Sequence, residues 1–239
     1  MGNWRRPLSD QYRIVCETLE RLRKEAESLL TSWAFFESSN GYPLGCRRNS
    51  LRQSIDDFYE SVGIIQIQNM CARDSILTLH RMIDKSGDGG KSNRQSLTRV
   101  SRFLAAEGSL QLLVDKAKAW NPDFKLEAYN EQLVRTLFAE VEPWLSEGKS
   151  IRGIGPLRET ISGFRNSELA HALDLENVRK VRLTEVRRGV TLTTALVKKC
   201  SLLVAGYDWD ARGVWKHSLS NANQFWDRYE KGFQPQVHK

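Results

Sequence analysis

The chain has 239 residues, 40% hydrophobic and 27% charged, the balance of an ordinary globular protein and not that of a disordered or membrane-embedded chain. Its formal net charge of +7 favours polyanionic partners without naming one. No apolar run approaches the roughly 20 residues that span a bilayer, and Met1-Gly2-Asn3-Trp4-Arg5-Arg6-Pro7 has no apolar signal core, so a cytoplasmic protein without membrane contact is expected.

Ser9-Asp10 caps a first helix whose apolar positions, from Ile14 through Leu22 and Leu29 to Trp33 and Phe36, recur every three to five residues until Gly41-Tyr42-Pro43. A second long helix is expected from Asn49-Ser50, with Leu51, Phe58, Ile65, Ile76, Leu79 and Ile83 on one stripe. It ends in the glycine-rich stretch Ser86-Gly87-Asp88-Gly89-Gly90-Lys91-Ser92. Gly90-Lys91-Ser92 copies the end of a phosphate-binding loop, but the first glycine of that pattern falls on Lys85 and a helix precedes it where a strand is required, so the stretch reads as a connector.

Shorter helices follow around Ser96 to Ala106 and Leu110 to Ala119. Asn121-Pro122-Asp123 starts another, which Trp144 and Leu145 close. After a glycine-rich loop, Pro156 suits the first turn of the next helix. One more long helix is expected from about Glu176 to Ala205, and the β-prone Val190-Thr191-Leu192-Thr193-Thr194 reads as its buried part. The tail carries Trp209, Trp215, Phe225, Trp226 and Tyr229, whose helical spacing reads as packing more than as base stacking. No sustained alternation of period two occurs, so the fold class is all-α. Cys16, Cys46, Cys71 and Cys200 stand far apart, with no Cys-x-x-Cys and no nearby His pair, so neither a zinc site nor a disulfide framework is indicated and no metal or other cofactor is expected.

Phe164-Arg165-Asn166-Ser167-Glu168-Leu169-Ala170-His171 places an arginine, a polar neighbour and a histidine in one helical segment. Arginine holds phosphate oxygens as a permanent cation, and histidine trades protons near neutral pH. RNA cleavage by its own 2′-hydroxyl needs a base, an acid and a cation beside phosphorus. Spacing alone is weak, since Arg73 precedes His80 and Arg212 precedes His217 at similar distances. Only Arg165 and His171 combine an Asn after the Arg with a helical setting. In straight helix, six residues turn through about 600° and rise near 9 Å, so the two side chains share no face unless the Arg swings round or the helix distorts beside Gly163. One motif supplies one histidine where acid and base roles want two, so a two-fold homodimer is expected to bring two copies together. Arg158, one heptad before Arg165, and the basic run Arg179, Lys180, Arg182, Arg187 and Arg188 are candidates to grip RNA phosphates, Arg158, Arg179 and Arg182 foremost.

This Arg-Asn…His pattern, late in an all-α domain, resembles the signature of the HEPN superfamily, and Leu79-His80-Arg81-Met82-Ile83-Asp84-Lys85 resembles the helix end of its abortive-infection AbiU-like branch. The resemblance covers about residues 10 to 205. It implies a HEPN-like bundle of long antiparallel helices, expected over residues 1–206; residues 207–239 match nothing in it and are expected to form a short, aromatic-rich helical extension of unknown role. It further implies a dimeric, metal-independent endoribonuclease of phage defence, abortive infection or a toxin–antitoxin system, with Arg165, Asn166 and His171 as the catalytic positions, RNA as substrate and a cognate antitoxin as possible partner. The rival readings are a non-catalytic HEPN-like module binding RNA, a nucleotide or a protein, and a purely structural helical protein.

Overall fold

The computed structural model describes residues 7–40, 60–84, 96–120, 124–145, 154–170 and 183–232, the side chains of 60–65, 163–170 and 230–232 excepted. Among the described residues there are eight α-helices and no strand: α1 (Leu8–Ser39), α2 (Glu60–Ile83), α3 (Leu97–Leu104), α4 (Ser109–Lys118), α5 (Glu127–Leu145), α6 (Ile154–Ala170), α7 (Leu183–Ala205) and α8 (Ala211–Gly232). The all-α reading holds. The glycine-rich stretch, the start expected for the second helix and the Asn121-Pro122-Asp123 start lie outside the described residues.

The chain forms two compact units, one from Met1–Ala26 and Leu77–Asp210, the other from Glu27–Ile76 and Ala211–Lys239. The long helices α1 and α2 each contribute to both. The expected boundary at 206/207 falls four residues before the point where the chain passes from the first unit to the second.

In the first unit α4 packs on α5, and α5 on α3, α6 and α7. Leu79, Phe103, Val114, Val134, Ile154 and Val197 are fully buried in its core. On α7 the β-prone run is helix, because Val186, Val190, Thr193, Val197 and Cys200 recur every three or four residues and are all buried, a burial that outweighs weak helix propensity. The ends of its helices are tied by side chains from elsewhere. Buried Asn130 donates through Nδ2 to the carbonyls of Ala117 and Trp120 where α4 stops, both at 3.1 Å. Ser101 donates to Leu145 O at the end of α5, and Ser109 to Leu104 O at the end of α3. Gly206, with φ at 66°, ends α7, and any Cβ there would stand 2.7 Å from the Trp120 ring, so only glycine fits.

In the second unit the exit half of α1 packs on α8. Trp226, 1% exposed, donates through Nε1 to Phe35 O, and Phe35 meets Phe225 with ring centroids 5.6 Å apart. Hydroxyls complete the seam: Thr31 with Ser218, and Ser38 to Asn223 Oδ1. Ser32 Oγ donates to Asp74 on α2. The tail aromatics at Phe35-facing positions are therefore packing residues, as their spacing suggests.

Tyr12 joins the first turn of α1 to the end of α7, its hydroxyl donating to Val204 O at 3.1 Å. Burial, and then the neighbouring Cys16, push the Tyr12 phenol up to about 12. A proton held more tightly in the folded state stabilises the fold fully below the ordinary phenol value near 10, and that stabilisation is lost as pH rises through about 12. Tyr12→Phe should cost about 1 kcal/mol at pH 7, the worth of one hydrogen bond. Denaturant titrations of wild type and Tyr12→Phe should converge between pH 10 and 12; parallel curves over that window would remove the coupling.

Candidate functional site

The helix that carries the Arg-Asn pair is α6, and its position is set near its start. Ile154, Leu157 and Ile161 are buried at spacings of three and four, so one stripe of α6 faces the core, while Pro156 lies exposed in the first turn. Leu157 lies against Gly189 of α7. A Cβ at Gly189 would stand 3.1 Å from Leu157 Cδ1 and 3.2 Å from Leu79 Cδ1, so the missing side chain lets α2, α6 and α7 close on one another.

Next to that contact, Arg158 reaches to the end of α2. Its Nε donates to Ile83 O at 2.7 Å and one Nη to Thr98 Oγ1 at 2.8 Å, while Thr98 Oγ1 donates to Asp84 O at 3.1 Å. The guanidinium is half-buried and engaged with the protein. Through these bonds Arg158 fastens α6 to α2 and α3. His80, 5% exposed, sits one turn before this junction with Nε2 3.9 Å from Asp84 Oδ1, beyond hydrogen-bond reach.

Arg165 and Asn166 stand in the last two turns of α6, one heptad beyond Arg158 and Glu159, about 10 Å further along the axis. The main chain passes through Gly163 as α-helix and stays helical to Ala170. His171, Arg179 and Arg182 lie outside the described residues.

The other Arg-His spacings resolve into local roles. Arg73 is exposed whereas His80 is buried, and exposed His217 pairs with Asn221, Nε2 to Nδ2 at 3.0 Å, one turn along α8. Burial pushes the Cys16 and Cys71 thiols up, Cys71 further through Asp74, and burial takes Cys200 up to about 12, so these thiols have the opposite of nucleophile character. Among the described residues no group of three His, Cys, Asp or Glu is placed to hold a metal ion, and no helix is long and apolar enough to cross a membrane.

Two features escaped the sequence reading. Asn130 had no signal beyond its place on the apolar stripe of α5, and Arg158 was indistinguishable by residue type from a surface cation.

The HEPN AbiU2 family model, described as AbiU2, matches residues 13–214, a span that runs from α1 into α8 and includes Arg165, Asn166 and His171. Neither the curated proteins nor the solved structures compared with the chain give a match. With most of its length matched by that model, the chain belongs to the AbiU2 family of HEPN proteins.

Proposed function

We propose that this protein is a metal-independent endoribonuclease acting in phage defence, as an abortive-infection protein or the toxin of a toxin–antitoxin pair. The observation that carries the reading is the family match across a segment holding Arg165-Asn166…His171, with the first two residues on a helix fastened at its base by Arg158. In the proposed reaction the substrate 2′-oxygen loses its proton to a histidine base and bonds to phosphorus. The P–O5′ bond breaks and the departing 5′-oxygen takes a proton from a histidinium acid, leaving a 2′,3′-cyclic phosphate. Arg165 holds the phosphate charge that builds between these events, and Asn166 orients the phosphate. Two His171 side chains from a cytoplasmic homodimer fill the acid and base roles. Arg179 and Arg182 grip neighbouring phosphates, while Arg158 acts by positioning α6. A cognate antitoxin is the protein partner this reading expects.

Purified protein should cut RNA in excess chelator and leave 2′,3′-cyclic ends, and a 2′-deoxy substitution at the cleavage site should block it. Activity that EDTA abolishes and magnesium restores would sink the mechanism. Arg165→Ala should lower the rate by about 10²–10³-fold and His171→Ala by about 10²–10⁴-fold, with unfolding midpoints close to wild type. Unchanged cleavage by His171→Ala would move the site elsewhere, and wild-type RNA binding without any cleavage would leave the non-catalytic module.

The composite site makes a separate prediction. Light scattering should give a dimer mass, and mixing Arg165→Ala with His171→Ala protein should recover part of the activity that neither homodimer shows. A monomeric mass with full activity would remove the shared site.

A further inference from the structure

Thr98, the second residue of α3 and 4% exposed, uses its hydroxyl in both directions. Oγ1 accepts from an Nη of Arg158 at 2.8 Å and donates to Asp84 O at 3.1 Å. Arg158 Nε meanwhile donates to Ile83 O at 2.7 Å. Ile83 and Asp84 are joined by one peptide bond, so these three hydrogen bonds close a ring. It runs from the guanidinium on α6 to the end of α2, through that peptide to the hydroxyl on α3, and back. The position calls for donor and acceptor on one atom, which a hydroxyl supplies. The β-branch of threonine adds stiffness, since it leaves few rotamers open in a helix.

A single hydrogen bond is a pivot, whereas two from one planar fork, to acceptors on different helices, fix the plane of the guanidinium. The buried stripe of α6 and its close approach to Gly189 press the helix onto the core, but apolar contact is non-directional and sets no tilt. Arg165 stands seven residues beyond Arg158, so a tilt of about 6° about Arg158 moves the main chain at Arg165, about 10 Å along the axis, by about 1 Å. A misplacement of about 1 Å costs up to about 10²-fold in rate where reacting groups must be held in line.

We propose that Thr98 is a positioning residue for the Arg165-Asn166 pair. Its hydroxyl closes the ring at the base of α6 and so sets the tilt at which that helix carries the pair. The effect on cleavage rests on the ribonuclease reading, whereas the hold on α6 does not.

The test compares full-length wild type with Thr98→Val, which keeps the shape and removes the hydroxyl, and Thr98→Ser, which keeps the hydroxyl. Thr98→Val should lower kcat for RNA cleavage by about 10–10²-fold with KM little changed, and Thr98→Ser should recover most of the rate. Because Arg158 stays in place in both, a fall in kcat does not come from a lost cation. Hydrogen exchange read by mass spectrometry should show the amides of α6 exchanging about tenfold faster or more in Thr98→Val, and near wild type in Thr98→Ser, with α4 and α5 unchanged. Wild-type kcat together with wild-type exchange in Thr98→Val would overturn the proposal. So would a Thr98→Ser protein as slow as Thr98→Val, or exchange that rises equally in all helices of the unit, the mark of a residue that only adds stability. Should Thr98→Val not fold, Arg158→Lys, which keeps the charge without the fork, should give the same slow kcat and fast exchange in α6, and wild-type behaviour there would overturn the proposal equally. Wild-type protein that cuts no RNA would end the ribonuclease reading by itself, and exchange in α6 would still decide whether Thr98 holds that helix.

Discussion

The last carbonyls of an α-helix have no partner within the helix, and a helix end buried without one costs about as much as a lost hydrogen bond. The first unit is organised around that constraint. Ile83 O receives Arg158, Leu145 O receives Ser101, Ala117 O and Trp120 O receive Asn130, and Val204 O receives Tyr12. Most of these donors come from far along the chain, Tyr12 from 192 residues away and Arg158 from 75. A bond that closes a helix terminus thereby also fixes which helices meet. Hydrophobic burial supplies the larger energy, but it is non-directional. The directional donors decide the angle at which each helix end is presented.

That distinction bears on α6. Its buried stripe of Ile154, Leu157 and Ile161 allows the helix to slide or roll on the core, whereas Arg158 does not, since its two donor atoms must reach a carbonyl and a hydroxyl on different helices. A charge-assisted hydrogen bond contributes about 1.5–3 kcal/mol, enough to hold one register against its neighbours. Arg165 lies a heptad further on the same helix, so whatever fixes Arg158 fixes the main chain from which Arg165 projects. Catalysis by positioned charge tolerates little error in that placement.

The periodic signal was sufficient for the helices, because α1, α5 and α7 each repeat apolar residues every three or four positions and bury them. Pro156 fell in the first turn of α6, and Val190 to Thr194 stayed helical because tertiary burial outweighs β preference. The polar framework was not legible. Nothing local separates Arg158, a fastening between helices, from Arg165, proposed to hold phosphate, because both are arginines on one helix and about one face. What separates them is an orphan carbonyl at Ile83, brought near only by the fold. Asn130 is hidden for the same reason. The division into two units was also invisible, since α1 and α2 run through both without a break in pattern at Ala26 or Leu77.

The net charge of +7 is unevenly spread along the sequence. Ion pairs such as Arg81 with Glu25 and Arg135 with Glu131 cancel locally and, being exposed, add little to stability. Between residues 179 and 188 stand Arg179, Lys180, Arg182, Arg187 and Arg188 against Glu185 alone, a local excess of +4, more than half the chain's total. Such a run of one sign in the sequence, directly after the Arg-Asn…His motif, favours encounter with a polyanion. Charge by itself does not select one polyanion over another, because each carries the sign it attracts. The discrimination must come from groups that the fold holds in fixed positions. Charge supplies the encounter, and selection falls to groups held in place as Arg158 holds the base of α6, by donors that must reach two partners at once.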